Sequence, residues 1–325
     1  MKPQQRFLKQ DKVFWAHVRS VSQHLGYTIN REWAPQEFRT FKNGMTKPKK
    51  RKKVKIPPRI LVPTLDEISK ALTELKLRSD HIAAEDGKST EFGALLLDYF
   101  EHRANIINTL VQPNLMDASA AKELYEKVLA DGPAARRPVP MNKQKGEKKA
   151  PAYLTALVNL LIERHSAGFS CNFDPLELTS VTRDRLPVRT LARRVDGAFP
   201  QVINPVAIWE IKEYYYTTSF GSRVADGIYE SLLDGLELEE LAASEKIDVK
   251  HYLIIDSHYT WWMTGGRPYL CRIVDMLHMG YVDEVLVGRE VVTRLPELVG
   301  EWIDLLPKTT QGTELEKTGT LSEAD

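Results

Sequence analysis

The chain has 325 residues, of which 42% are hydrophobic, so it is long enough to bury one large core or two smaller ones. Two cysteines without a CxxC pattern argue against a disulfide framework and a structural zinc site. There is no long uncharged apolar run, which argues against a membrane or secretion segment, so we expect a cytoplasmic protein.

The formal net charge of +1 conceals an uneven distribution of charge along the chain. Residues 1–150 contain 29 Lys and Arg against 17 Asp and Glu, whereas the remainder contains 16 against 27. A basic half suits contact with a polyanion, and an acidic half suits metal binding. A chance partition combined with an acidic tail is the alternative.

Helical patterns dominate the first part of the chain. Apolar spacing predicts helices over 10–25, 64–77, 92–111 and 117–129. Thr64 and Glu67 have the spacing of a capping box at the start of the second helix. That helix has the composition of the first helix of a helix-turn-helix unit, but an ordinary core helix fits equally well. We therefore predict that residues 1–135 form a mainly α, basic DNA-binding region.

A dense basic run interrupts these helices at residues 47–55, KPKKRKKVK. Its charges repel one another and it has little to bury, which indicates an exposed arm. Three interpretations are open: a nucleic-acid-binding arm, a nuclear import signal that would place the protein in the nucleus, or a solvated linker. The candidate DNA contacts in this run are Lys49, Lys50, Arg51, Lys52 and Lys53.

Residues 136–151, rich in proline and lysine, predict a linker or a long loop, after which the pattern changes. Helices are predicted at 152–168, 222–242, 268–279 and 295–305, and strands at 186–199, 206–216, 249–256 and 282–288. This order predicts an α/β domain over 152–307, with a mixed sheet flanked by helices. Residues 308–325 are predicted to be a flexible acidic tail.

Polar residues in the apolar strand VAIWEIKEYYY need a reason to be there. Glu210 and Lys212 share one face of that strand, because side chains two apart project to the same side. A short turn folds the preceding segment back alongside, which brings Asp196 within reach. Two carboxylates this close repel each other unless a cation lies between them, and oxygen ligands suit Mg²⁺ or Mn²⁺.

Asp196, then thirteen residues, then Glu210-Ile211-Lys212, resembles the PD-(D/E)XK superfamily of restriction-endonuclease-like nucleases. The resemblance covers residues 152–290 and implies a restriction-endonuclease-like fold. It implies that Asp196 and Glu210 bind the metal, that Lys212 is the motif lysine, and that Glu163 is a further acid on the first core helix. Val195 stands where the family motif has proline.

Other features compete with this assignment or surround it. Asp234, Asp248 and Lys250 repeat the spacing, but Asp234 falls in a helical stretch, and a purely structural salt bridge is a further alternative. Tyr214 and Arg223 are candidate DNA contacts beyond the strand, although Tyr-rich strands more often simply pack. The stretch HYTWWMTGGRP, residues 258–268, indicates an exposed or interface loop.

The sequence thus leads to a hypothesis of a Mg²⁺-dependent endonuclease, with Mn²⁺ as a substitute, acting on double-stranded DNA. The resemblance implies a site-specific type II restriction enzyme. One active site per chain favours a homodimer for double-strand cleavage. The alternatives are a nucleic-acid-binding protein with an inert nuclease-like core and a nonspecific or repair nuclease.

Overall fold

The computed structural model describes residues 1–29, 38–40, 46–48, 59–84, 86–133, 137–142, 146, 149–217 and 221–307. It is an α/β protein with helices before and around one mixed sheet. The elements of the first part of the chain are α1 (Gln5–Leu8), α2 (Lys12–Leu25), β1 (Thr28–Ile29), β2 (Phe38–Thr40), β3 (Thr46–Pro48), β4 (Arg59–Ile60), α3 (Leu65–Glu74), α4 (Glu91–Ile106), α5 (Gln112–Asn114) and α6 (Ala118–Ala130).

The second part alternates more regularly between strands and helices. Its elements are α7 (Tyr153–His165), β5 (Asn172–Phe173), β6 (Ser180–Arg183), β7 (Leu186–Thr190), β8 (Gly197–Phe199), β9 (Ala207–Glu213), α8 (Ser222–Glu245), β10 (Lys250–Asp256), α9 (Arg267–His278), β11 (Glu284–Val287) and α10 (Val291–Asp304).

The central sheet has five strands in the order β11-β10-β9-β8-β5. Strand β9 runs antiparallel to β8 and parallel to β10, with Glu210 opposite Leu253. The two parallel connections carry α8 and α9 as crossover helices. Strands β6 and β7 form a separate antiparallel hairpin. The mixed sheet predicted for 152–307 is therefore confirmed at this level.

Each face of the sheet is covered by its own helices. On one face, Trp209 of β9 stacks on Trp302 of α10, with ring centroids 5.4 Å apart, and α7 packs into the same apolar cluster. On the other face, Ile208 packs with Leu238 and Leu241 of α8. Because side chains alternate along β9, its even-numbered residues, which include the predicted site, lie on the face covered by α8.

The N-terminal helices match the predicted segments closely, although α3 ends at Glu74 rather than at residue 77. Helix α3 begins after Thr64, whose side chain accepts from Glu67 N at 3.2 Å, while Glu67 accepts from Thr64 N at 2.9 Å. Helices α2 and α6 also match their predictions. Residues 75–90 separate α3 from α4, a far longer connection than the roughly three- to four-residue turn of a helix-turn-helix, so that interpretation is wrong.

These helices pack directly against the sheet region. Arg103 of α4, 2% exposed, pairs with Asp275 of α9 at 3.1 Å, and Tyr99 donates to the same carboxylate at 2.5 Å. A buried pair costs several kcal/mol per ion in desolvation, and these extra hydrogen bonds offset part of that cost. The contact fixes α4 against α9.

Two predictions were wrong. The strand expected over 186–199 is two short strands, β7 and β8, in different sheets, because residues 191–196 leave the hairpin before joining β9. The two indoles of the stretch at 258–268 are not exposed: Trp261 and Trp262 are buried in a π-helical turn, Tyr259–Met263, although Tyr259 and Met263 themselves are exposed. Apolar packing under β10, not an external partner, accounts for them.

Candidate functional site

Asp196 and Glu210 meet where the β8–β9 ladder ends. The last ladder pair is Gly197 with Trp209; beyond it, Asp196 N donates to Glu210 Oε1 at 3.2 Å and Ile211 N donates to Asp196 Oδ2 at 2.9 Å. For these two backbone N–H groups, the acceptors are the side-chain carboxylates of Glu210 and Asp196 instead of backbone carbonyls. This exchange brings Asp196 to Glu210, as the sequence predicted.

Glycine at position 197 has a steric reason. A Cβ there would lie 2.0 Å from Cζ2 and 2.1 Å from Cε2 of the Trp209 indole. The absent side chain therefore makes room for an indole that is itself fully buried. The Asp-Gly dipeptide thus supplies the Asp196 carboxylate to the site and, at Gly197, the space that the Trp209 indole fills.

Glu210 is fully buried and held by two cations. Arg193 contacts both of its oxygens, Nη1 to Oε1 at 2.9 Å and Nη2 to Oε2 at 3.0 Å, and Lys212 Nζ lies 2.7 Å from Oε2. Burial alone would raise the pKa of Glu210, but the charges of Lys212 and Arg193 outweigh burial and hold that pKa below its usual value. Glu210 is therefore a carboxylate at neutral pH.

Lys212 also contacts Glu230 of α8, at 3.2 Å from Nζ. Burial lowers the pKa of Lys212, yet the charges of Glu210 and then Asp196 raise it above its usual value. Gly227 of α8 leaves room for the Tyr214 hydroxyl and the lysine stem, because a Cβ there would lie 2.6 Å from Tyr214 Oη and 3.3 Å from Lys212 Cδ. Lys212 is thus an ammonium group held between the sheet and α8.

Asp234 of α8 joins this cluster, although sequence reasoning assigned it only to a competing pattern. It is fully buried, and its Oδ2 accepts from Arg193 Nη1 at 2.5 Å. Burial and the charge of Glu210 raise the pKa of Asp234 to about 7. The rest of that pattern lies elsewhere, since Lys250 pairs with Asp248 at 2.6 Å and with Asp283 at 3.1 Å.

Two members of the cluster lacked a sequence signal strong enough to identify them. Arg193 lies in a segment outside the strands, and Glu230 lies one helical turn before Asp234 on α8. Glu230 and Asp234 are four residues apart, which puts both carboxylates on the same side of the helix. That spacing is common in surface helices, so it becomes informative only once α8 is seen to cover β9.

Glu163 does not join the other predicted residues. It lies near the C-terminal end of α7, which packs on the Trp209 face of the sheet, and its Oε1 is 3.0 Å from Arg137 Nε. Alternation along β9 points Glu210 and Lys212 to the opposite face. The assignment of Glu163 from the resemblance is therefore not matched by its position.

The candidate DNA contacts are placed only in part. Tyr214 packs against Trp261, with ring centroids 5.6 Å apart, and its backbone carbonyl accepts from Thr260 Oγ1 at 3.0 Å. The side chain of Arg223 lies outside the described part of the chain, as do the five basic residues at 49–53 and the tail at 308–325. Packing is thus the observed role of Tyr214.

Two broader findings concern metals and membranes. In the described part of the chain, no group of three or more His, Cys, Asp or Glu side chains is arranged to hold a metal ion. Among the helices built from described residues, none is both long and apolar enough to span a bilayer.

Comparison with protein families places both halves of the chain. A model described as a domain of unknown function, DUF7687, matches residues 116–302, more than half of the 325 residues. The chain belongs to the DUF7687 family. A second domain of unknown function, DUF7690, matches residues 1–110. The DUF7687 match covers the whole five-stranded sheet and the charged cluster. No curated protein and no solved structure matches the chain.

Proposed function

We propose that this DUF7687 protein is a divalent-metal-dependent nuclease that hydrolyses phosphodiester bonds in DNA. The observation that supports it most is the meeting of Asp196, Glu210 and Lys212 at the β8–β9 junction, on one face of the sheet. Two acids and an ammonium at one point are the groups that phosphoryl chemistry uses to neutralise and orient a phosphate.

The order of elements supports a PD-(D/E)XK, restriction-endonuclease-like core. Helix α7 precedes an antiparallel run of β5, β8 and β9, and α8 then crosses over to β10, which is parallel to β9. The motif residues lie on β9 and just before β8, at the positions that the resemblance implies. The resemblance also carries the proposal that cleavage is site-specific, as in a type II restriction enzyme.

The donor set has the chemistry that Mg²⁺ requires. Asp196 and Glu210 would hold the ion, since their carboxylates are hard oxygen donors and the Glu210 carboxylate lies 3.2 Å from the backbone N of Asp196. The bound ion would neutralise the phosphodiester and make water more acidic. Mn²⁺, with similar ligand preferences, would substitute.

The chain's own residues divide the remaining tasks. Lys212 keeps its proton at neutral pH, so it cannot accept one from water; it orients the water and stabilises the extra negative charge on the phosphate. In the reaction, a water oxygen bonds to phosphorus and releases a proton to solvent, the bond from phosphorus to the leaving sugar oxygen breaks, and that oxygen takes up a proton from solvent. Glu230, 46% exposed on its side chain, stands where Lys212 meets solvent.

The substrate and assembly follow from charge and stoichiometry. The basic first half of the chain favours binding to a nucleic acid backbone, and each phosphate contact releases counterions. One cluster per chain cuts one strand at a time, so we propose that a homodimer cleaves the duplex.

A plasmid digestion with controls tests the proposal. With Mg²⁺ the wild-type protein should cut a mapped plasmid, into discrete bands if it is site-specific and into a smear if it is a nonspecific or repair nuclease. Asp196→Ala and Glu210→Ala should abolish cleavage while DNA binding persists. Asp248→Ala, which removes the acid of an identically spaced Asp-x-Lys pattern outside the cluster, should cut like wild type. Wild-type cleavage by either site variant would refute the assignment.

One observation favours a second candidate, a nucleic-acid-binding protein with an inert core. Glu210 already accepts from Arg193 twice, from Lys212 and from Asp196 N, which fills the roughly four acceptor positions of a carboxylate. Such saturation is what a structural ion pair would show. A protein that binds DNA but never nicks it with Mg²⁺ or Mn²⁺ would support this candidate.

A further inference from the structure

One guanidinium group connects three carboxylates inside the cluster. Arg193 contacts both oxygens of Glu210, Asp234 Oδ2 at 2.5 Å and Glu230 Oε2 at 3.5 Å. Among the described residues, Arg193 and Lys212 are the two cations that contact these three acids. A divalent ion can take the place of a cation that pairs with the same carboxylate oxygens.

A second fully buried acid of the cluster is incompletely bonded. Asp234 is fully buried, and its Oδ1 has no hydrogen-bond partner among the described residues. Leaving a buried acceptor without a donor costs about 1–3 kcal/mol. The α8 face of the sheet thus contains a carboxylate oxygen with a lone pair to offer.

A second acceptor on the same face shows the same feature. His251 of β10 pairs in register with Ile208, which packs under α8. Its Nδ1 donates to Tyr281 O at 2.9 Å, which leaves Nε2 of the neutral ring as an acceptor, and that Nε2 has no partner within the described part of the chain. Two buried acceptors on this face are therefore available to bind a cation or a water.

Arg193 can leave the cluster without unfolding the sheet. Its side chain is 22% exposed, whereas the side chains of Glu210 and Asp234 are 0% exposed. It lies in the 191–196 segment, outside every strand. A long side chain at the protein surface can turn outward and let a small ion take the place of its guanidinium.

We infer that Asp234 is a further ligand of the divalent-cation site, and that Arg193 occupies the cation's position until the ion displaces it; with the guanidinium in place, the acids of the described part of the chain are not arranged around an ion. This rests on the proposed function, and it adds a carboxylate from α8 to Asp196 and Glu210. The ion would replace the guanidinium between Glu210 and Asp234, and the oxygen donors would suit Mg²⁺ or Mn²⁺.

Calorimetric titration of the full-length protein with Mn²⁺ alone tests the inference without any cleavage assay. Asp234→Asn, which preserves size and can still accept from Arg193, should weaken Mn²⁺ binding at least about tenfold. Arg193→Met should strengthen it by a similar factor, because the ion no longer competes with a guanidinium. Arg193→Gln, which also lacks the charge, serves in its place if the methionine variant does not fold. Asp248→Asn is the matched control and should bind like wild type.

The outcomes separate this inference from the proposed function. If Asp234→Asn binds Mn²⁺ like wild type while Asp196→Asn and Glu210→Gln do not, the inference is overturned and the two-carboxylate site stands. If wild type and Arg193→Met both fail to bind Mn²⁺ at millimolar concentration, the inference and the metal-dependent mechanism fall together. Weakened binding by Asp234→Asn with tightened binding by the Arg193 variant supports the inference.

Discussion

The void at Gly197 permits a quantitative test of how the site is built into the core. In Gly197→Ala the new methyl group would lie 2.0 Å from Trp209 Cζ2, far inside contact distance. The indole cannot withdraw easily, because it is fully buried and stacks on Trp302 at 5.4 Å. Either the indole or the backbone before β9 must therefore move.

The size of the effect follows from overpacking. Inserting one methyl group into a close-packed core costs about 1–3 kcal/mol, and this contact is at the severe end of that range. Gly300→Ala in α10 is the matched control: nothing lies within 4 Å of its added Cβ, and relief of glycine's entropy cost in a helix should stabilise the protein by about 0.5–1 kcal/mol.

Urea unfolding of both variants against wild type measures the difference in free energy of unfolding. We expect opposite signs, with a gap of roughly 2–4 kcal/mol when the two estimates are combined. A backbone shift at position 197 should also lengthen the Asp196–Glu210 contact and reduce cleavage. Equal unfolding free energies for wild type and Gly197→Ala would refute the steric argument.

Three further predictions concern buried charge. Burial raises the pKa of Asp256 from 3.8 to about 7, so the folded state binds this proton more tightly than the unfolded state does. The stability that this proton provides at acid pH should therefore decline as the pH rises to about 7. Thermal melts at pH 5 and pH 8 should show a smaller decline for Asp256→Asn than for wild type. Asp275→Ala leaves buried Arg103 without its counter-charge and should lower the free energy of unfolding, measured by urea titration, by about 3–5 kcal/mol. The control Asp80→Ala removes one partner of an exposed ion pair and should change the free energy of unfolding by less than about 1 kcal/mol. Lys212→Met should slow plasmid cleavage about 100-fold or more, while its affinity for Mn²⁺ changes much less. Equal losses of Mn²⁺ affinity and cleavage rate would contradict the role given to the Lys212 ammonium group.

Local rules accounted for much of this fold. The capping box at Thr64 predicted where α3 begins, because a cap is formed by residues three apart in the chain. Period-two alternation put Glu210 and Lys212 on one face of β9, and a short turn after β8 predicted that Asp196 would be their neighbour. These relations involve residues close in sequence or joined by a tight turn, so they leave a readable pattern.

Long-range packing settled what these patterns could not. The crossover connection from β9 to β10 decides which face of β9 is covered by α8, and this brings Asp234 into the cluster. Helix α7 covers the opposite face and places Glu163 there. Burial of Trp261 likewise depends on residues far away in the chain, such as Ile107 and Val285, which share its apolar cluster. Apolar surface is buried wherever the elements fit together, and complementarity between distant elements leaves no periodic trace in a single sequence.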